Sequence, residues 1–121
     1  MSSLTTFFAG TESWMAAAST TEYGDPVADA GLLEEISPMT HLDLVRCPVL
    51  LAHGDRDTDV PLQESLQAHT ALRARGAACE LVVLPGEGHS VVGTGGITRF
   101  ARALTGFYLR HLDRAPGTSA A

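Results

Sequence analysis

Pro48-Val49-Leu50-Leu51-Ala52-His53-Gly54 is a continuous apolar run closed by a glycine, and the polar segment Asp55-Arg56-Asp57-Thr58-Asp59 follows it directly. A run without polar alternation predicts a strand buried on both faces, the kind that parallel sheets use. Working outward, Pro61 stands where a first helical turn tolerates its missing N–H, with Glu64 near the positive helix end. Leu62, Leu66, His69, Leu72 and Arg73 ride that helix, and Gly76 stops it. Cys79-Glu80-Leu81-Val82-Val83-Leu84 predicts a second buried strand, and the glycine-rich loop Pro85-Gly86-Glu87-Gly88-His89 comes after it. A last helix is predicted from about Ile97 to Leu112, with Ile97, Phe100, Ala101, Leu104, Phe107, Tyr108 and Leu112 as its apolar stripe. Residues 114–121 read as a flexible tail.

Upstream the signals are weaker. Thr11 and the run through Ala18 predict a short helix that ends in the turn Tyr23-Gly24-Asp25-Pro26. A second short helix is expected over Ala28 to Ile36, where Ser37-Pro38 breaks it. Phe7, Phe8 and Trp14 read as core, with an acyl or side-chain pocket as the other use for them.

Strand, helix, strand, helix with short connections is the pattern of an α/β fold with parallel strands and crossover helices. In such sheets chemistry gathers in the loops beyond the carboxyl ends of the strands. One such loop carries Asp55, Asp57 and Asp59, and the other carries Glu87 and His89. If the two strands are neighbours, an Asp from the first loop can reach His89 in the second. A histidine held by a carboxylate is a general base at neutral pH, because the carboxylate fixes the tautomer and stabilises the imidazolium. The alternating Asp55, Asp57 and Asp59 also imitate the start of a calcium loop. That loop needs glycine at its sixth position and glutamate at its twelfth, and Val60 and Leu66 stand there instead. No metal or cofactor is expected.

His53-Gly54-Asp55-Arg56-Asp57-Thr58-Asp59-Val60-Pro61 resembles the HGxxDxxVP segment of the prolyl oligopeptidase family, which includes dipeptidyl and acylaminoacyl peptidases. Pro85-Gly86-Glu87-Gly88-His89 resembles the family's E-G-H histidine loop. Tyr23-Gly24-Asp25-Pro26 and Ile36-Ser37-Pro38 resemble segments found between nucleophile and acid. The resemblance implies that residues 1–113 are the C-terminal segment of an α/β-hydrolase catalytic domain. It places the triad acid on Asp57 and the triad histidine on His89, and it implies hydrolysis of peptides or acyl esters. Asp55 and Asp59 are then expected to be solvated loop carboxylates. His53 is expected to pack or hydrogen-bond at the strand end.

The front half of the triad is missing from the pattern. The nucleophile of this fold sits in a G-x-S-x-G elbow, and none occurs in the 121 residues; Ser90 and Ser65 are not on an elbow. Without a nucleophile an acyl-enzyme cannot form. Two function classes follow: a serine-peptidase segment, truncated or completed by another chain and inactive alone, or a non-catalytic remnant used for binding or assembly. Two parallel strands also leave an apolar edge wanting a neighbour. The first forty residues, self-association or a partner chain could supply one.

Bulk composition narrows the classes further. The chain is 45% hydrophobic and 18% charged with net charge -6, which suits a globular domain. It has no basic run, so neither nucleic acid nor an anionic membrane is an expected partner. No apolar stretch approaches the roughly 20 residues that span a bilayer, and Met1 to Gly10 lack the features of a signal peptide. Cys47 and Cys79 lack zinc-site spacing and read as two buried thiols. Together these point to the cytoplasm.

Overall fold

The computed structural model describes residues 1–112, so the expected tail at 114–121 lies outside the described residues. Its centre is the pair of strands β1 (Val49–Gly54) and β2 (Cys79–Leu84), parallel and in register from Val49 opposite Cys79 to Gly54 opposite Leu84. Helix α4 (Leu62–Ala74) makes the crossover between them, as a parallel pair requires. Helix α5 (Thr94–Leu112) follows β2 and lies against both strands. The strand begins at Val49 rather than Pro48, and the Val49 N–H donates to the Ala78 carbonyl at 2.8 Å. Pro48 has no N–H to offer a ladder.

The helix α4 ends as its sequence predicts. Gly76 adopts φ +77°, the left-handed conformation that glycine reaches without a Cβ penalty, and its N–H reaches back to the Arg73 carbonyl at 3.0 Å. Of the residues read on this helix, Leu72 lies on its buried face. Leu66 is exposed, whereas Glu64, Ala68 and Leu72 turn inward. Hydropathy hides this because the most deeply buried residue on the helix is a carboxylate.

Before β1 the chain forms α1 (Leu4–Gly10), α2 (Ser13–Tyr23), α3 (Ala30–Glu35) and a 3₁₀ segment, Pro38–Leu44. The single helix expected after Thr11 is therefore the second of two. Thr11 closes α1, with its N–H on the Phe7 carbonyl at 2.9 Å, and Ser3 caps the start. Asp25 Oδ1 takes the N–H groups of Val27 and Ala28, each at 2.8 Å, and delays α3 to Ala30. Phe7 and Leu33 form one small core with Leu4, and Phe8 packs against it. Trp14 is 57% exposed, so core packing does not hold for that residue. A second core joins Leu42, Leu72 and Cys79, with Val49 and Leu51 beside them.

Glu64 links the upstream helices to the crossover. It is 1% exposed. Its Oε2 accepts the Ser2 and Ser3 N–H groups at 2.7 Å each and the Ser2 hydroxyl at 3.0 Å. Its Oε1 accepts from the Thr6 hydroxyl and from Gln67 Nε2. A buried carboxylate survives only with such a full set of donors.

Three expectations of burial need correction. The strands are largely half-buried and Ala52 is exposed, because β1 and β2 are the whole sheet among the described residues and each has an unpaired outer edge. The stripe on α5 is likewise only partly covered: Phe107 is buried, whereas Ile97, Ala101, Tyr108 and Leu112 are exposed. A sheet two strands wide cannot cover a helix of nineteen residues. Cys47 is exposed in the turn before β1, and only Cys79 is buried. Burial pushes the Cys79 thiol up, and this outweighs the nearby Arg73 charge.

Candidate active site

The parallel register sets the carboxyl ends of β1 and β2 side by side, so the loops 55–61 and 85–93 leave the sheet together. Gly54 makes their contact close. A Cβ there would stand 2.5 Å from the Gly88 carbonyl oxygen and 2.7 Å from the Glu87 carbonyl carbon, with the Glu87 oxygen nearer still. Nothing larger than glycine fits between two backbones at that distance. The Arg56 N–H donates to the Glu87 carbonyl at 2.9 Å, and the Gly86 N–H donates to Asp55 Oδ1 at 2.7 Å. Asp55 is thus more than the solvated loop carboxylate expected of it: it ties one loop to the other. Asp59 makes no such cross-loop bond through its carboxylate.

Asp57 and His89 meet. Asp57 Oδ2 lies 2.9 Å from His89 Nδ1, while Asp57 Oδ1 accepts the N–H groups of Asp59 and Val60 at 2.9 Å each. The two backbone donors make an Asx-type turn that fixes the carboxylate plane. The Asp57 side chain is 5% exposed and that of His89 is 55% exposed. Burial, the largest single influence, pushes the Asp57 carboxyl up. The Val60 N–H, the His89 bond, the Asp59 N–H and the His89 charge together outweigh it and hold the group below its ordinary value.

His53 behaves as a framework residue. Its Nδ1 is 2.7 Å from the Ser65 hydroxyl and its Nε2 is 2.8 Å from the Val60 carbonyl, with Asp57 Oδ2 at 3.3 Å. The Nε2–H to the Val60 carbonyl fixes the tautomer, since a carbonyl only accepts. His53 thereby backs the turn that presents Asp57.

A recess of about 240 Å³ opens beside the pair, lined by Ala52, Gly54, Gly88, His89, Val91 and Met1 among others. No group among the described residues hydrogen-bonds His89 Nε2. A carboxylate-held imidazole with its second nitrogen turned outward can take a proton from an incoming hydroxyl and return it to a leaving group. No set of three His, Cys, Asp or Glu side chains among the described residues converges as metal ligands. No helix among them is long and apolar enough to cross a membrane.

Parallel strands, a crossover helix and paired loops at the strand ends, Asp first and His second, are the build of an α/β hydrolase. Solved structures agree. A puromycin-hydrolysing peptidase of Mycobacterium tuberculosis superposes with a TM-score of 0.76 at 28% identity over 93% of this chain and 17% of its own. The acylaminoacyl peptidase of Pyrococcus horikoshii superposes with a TM-score of 0.81 at 21% identity, over 98% of this chain and 20% of its own, which shows the shared fold. The family model for the prolyl oligopeptidase family matches residues 1–115, and the chain belongs to that family. Dipeptidyl aminopeptidase BIII of Pseudoxanthomonas mexicana is 40% identical over 68 residues, 54% of this chain and 10% of its own length. The chain thus spans about a tenth of that relative's length.

Sequence reasoning singled out both members of the pair. It missed the part played by Asp55, and it gave Glu87 no part beyond its place in the motif. It gave Glu64 only a helix-end charge. The carboxylates of Asp55 and Glu87 hold backbone N–H groups, and that of Glu64 holds two of them beside the Ser2 and Thr6 hydroxyls and the Gln67 amide; no side-chain pattern reveals backbone partners.

Proposed function

We propose that Asp57 and His89 are the acid and the histidine of a Ser-His-Asp triad, and that the serine comes from a segment outside these 121 residues. The observation that carries this reading is the 2.9 Å contact between Asp57 Oδ2 and His89 Nδ1, with Asp57 held by two further N–H groups. In a completed site, His89 Nε2 would take the serine proton as the hydroxyl attacks a carbonyl, and would then give it to the leaving amine or alcohol. Asp57 would stabilise the imidazolium between these steps. The substrates are peptides or acyl esters, by similarity to the family. The chain alone lacks this activity, because no elbow serine stands beside Nε2.

The unpaired sheet edges support association with another copy or with a nucleophile-bearing segment. The free thiols Cys47 and Cys79 suit a reducing compartment such as the cytoplasm. A purely binding role has less support, since it needs neither the buried Asp57 nor the aligned His89.

The test is a fluorophosphonate label together with peptide and ester substrates. The chain alone is expected to show no labelling. Joined to a family segment that carries a G-x-S-x-G elbow, it should be labelled at that serine. Stoichiometric labelling of Ser90 or Ser65 in the chain alone would overturn the reading.

A further inference from the structure

The position of His89 raises a question that the triad geometry does not answer. Residues 88–91 have no backbone hydrogen bond to any described residue, and His89 is mostly exposed. A segment so poorly tied would be expected to wander. Its two ends, however, are fastened to one residue. Glu87 precedes it, with its carbonyl on the Arg56 N–H. The Glu87 carboxylate then reaches past the histidine, and its Oε2 accepts the N–H groups of Val92 at 3.0 Å and Gly93 at 3.2 Å.

The surroundings are shaped to this carboxylate. Glu87 is buried. A Cβ at Gly96 would lie 2.5 Å from its Cδ and 2.6 Å from its Cγ, so the first turn of α5 can approach only as glycine. The carboxylate faces the positive end of a nineteen-residue helix. Loop 87–93 is thus closed on itself, with His89 inside the closure.

We infer that Glu87 is a positioning residue for His89: its carboxylate clamps Val92 and Gly93 and thereby holds the imidazole against Asp57. This rests on the triad reading of His89, but its test reads the imidazole and not turnover. Only Oε2 accepts the two N–H groups, so glutamine can keep both bonds with its amide oxygen there. Alanine cannot.

The experiment is long-range ¹H–¹⁵N spectroscopy of the labelled chain at alkaline pH, with His89 assigned from a His89→Asn spectrum. In the parent, Asp57 holds His89 as the Nδ1–H tautomer. Glu87→Gln is expected to keep it, and Glu87→Ala to lose it to the Nε2–H form, with unchanged far-UV circular dichroism. Should Glu87→Ala fail to fold, Gly96→Ala displaces the carboxylate without removing it, and it should also lose the Nδ1–H tautomer. Asp57→Asn separates the two readings, since it should itself give the wrong tautomer. An unchanged tautomer in Asp57→Asn removes the triad pairing. An unchanged tautomer in folded Glu87→Ala or Gly96→Ala overturns the clamp.

Discussion

Replacing Glu64 tests how the upstream helices are held to the crossover. Glu64→Gln keeps the shape and removes the charge. Its oxygen best faces the three donors now on Oε2, because on the other side the Thr6 hydroxyl can turn and accept, and Gln67 Nε2, which loses its weak 3.2 Å bond to Oε1, keeps Ser2 Oγ and Thr6 Oγ1 as acceptors. Hydrogen bonds to a charged group contribute about 1.5–3 kcal/mol and those to a neutral one about 0.5–1.5, so each of the three loses about 1 kcal/mol. Relief from burying a charge returns part of this, which leaves a loss of about 2–3 kcal/mol. Glu64→Ala strands the buried Ser2 N–H and the part-buried Ser3 N–H and opens a cavity, for a loss of about 5 kcal/mol. A small domain has about 5–15 kcal/mol in all. Urea titration followed by circular dichroism reads the difference. At an m-value of about 2 kcal/mol/M, Glu64→Gln should lower the midpoint by about 1–1.5 M, and Glu64→Ala should leave little cooperative transition. A Glu64→Gln midpoint equal to the parent's, or a Glu64→Ala variant as stable as Glu64→Gln, would refute the reasoning.

Gly54→Ala should part the two loops and destabilise the chain by about 1–3 kcal/mol, the usual range for overpacking, as read by thermal melting; an unchanged melt contradicts the close approach. In an enzyme completed with an elbow serine, Asp57→Asn should cost about 10⁴-fold in kcat, the figure established for the serine-protease triad. Asp55→Asn, which can still accept the Gly86 N–H, should stay within about tenfold of the parent. Because Asp57 titrates below its ordinary 3.8 in the folded state, its contribution to stability is present above that value and lost as pH falls through the lower folded pKa. Urea midpoints of parent and Asp57→Asn should therefore converge on acidification, and parallel slopes would count against the pairing. Cys47 should react with a thiol reagent at least about tenfold faster than buried Cys79, whose thiol is pushed up by its surroundings.

The βαβα core was legible because its signals are local: an unbroken apolar run for each strand, Pro61 and Gly76 bracketing α4, and a loop chemistry that needs Asp before His. Helix α1 was not read from the sequence: Leu4, Phe7 and Phe8 do fall at helical spacing, but the helix is only seven residues long, and it is held by Ser3 at its cap and by Ser37 and Glu64 from elsewhere. Burial was overestimated along both strands and α5 for one reason. Val49–Gly54 and α5 are composed for neighbours that the described residues do not provide.

The close approach at Gly54 also bears on how such chemistry could be inherited and exchanged. Every hydrogen bond that orients Asp57, His89, His53 or Glu87 begins and ends between residues 53 and 93. Asp57 and His89 therefore sit in one stretch of about forty residues that holds every bond orienting them, and an exchange that moves the whole stretch would move the pair intact. A chimera whose crossover point falls before β1, or within α5 beyond Gly96, should keep the pair aligned. One cut inside α4 would join an Asp loop and a His loop that had never been fitted to each other, with Gly54 and the Glu87 carbonyl as the first point of collision.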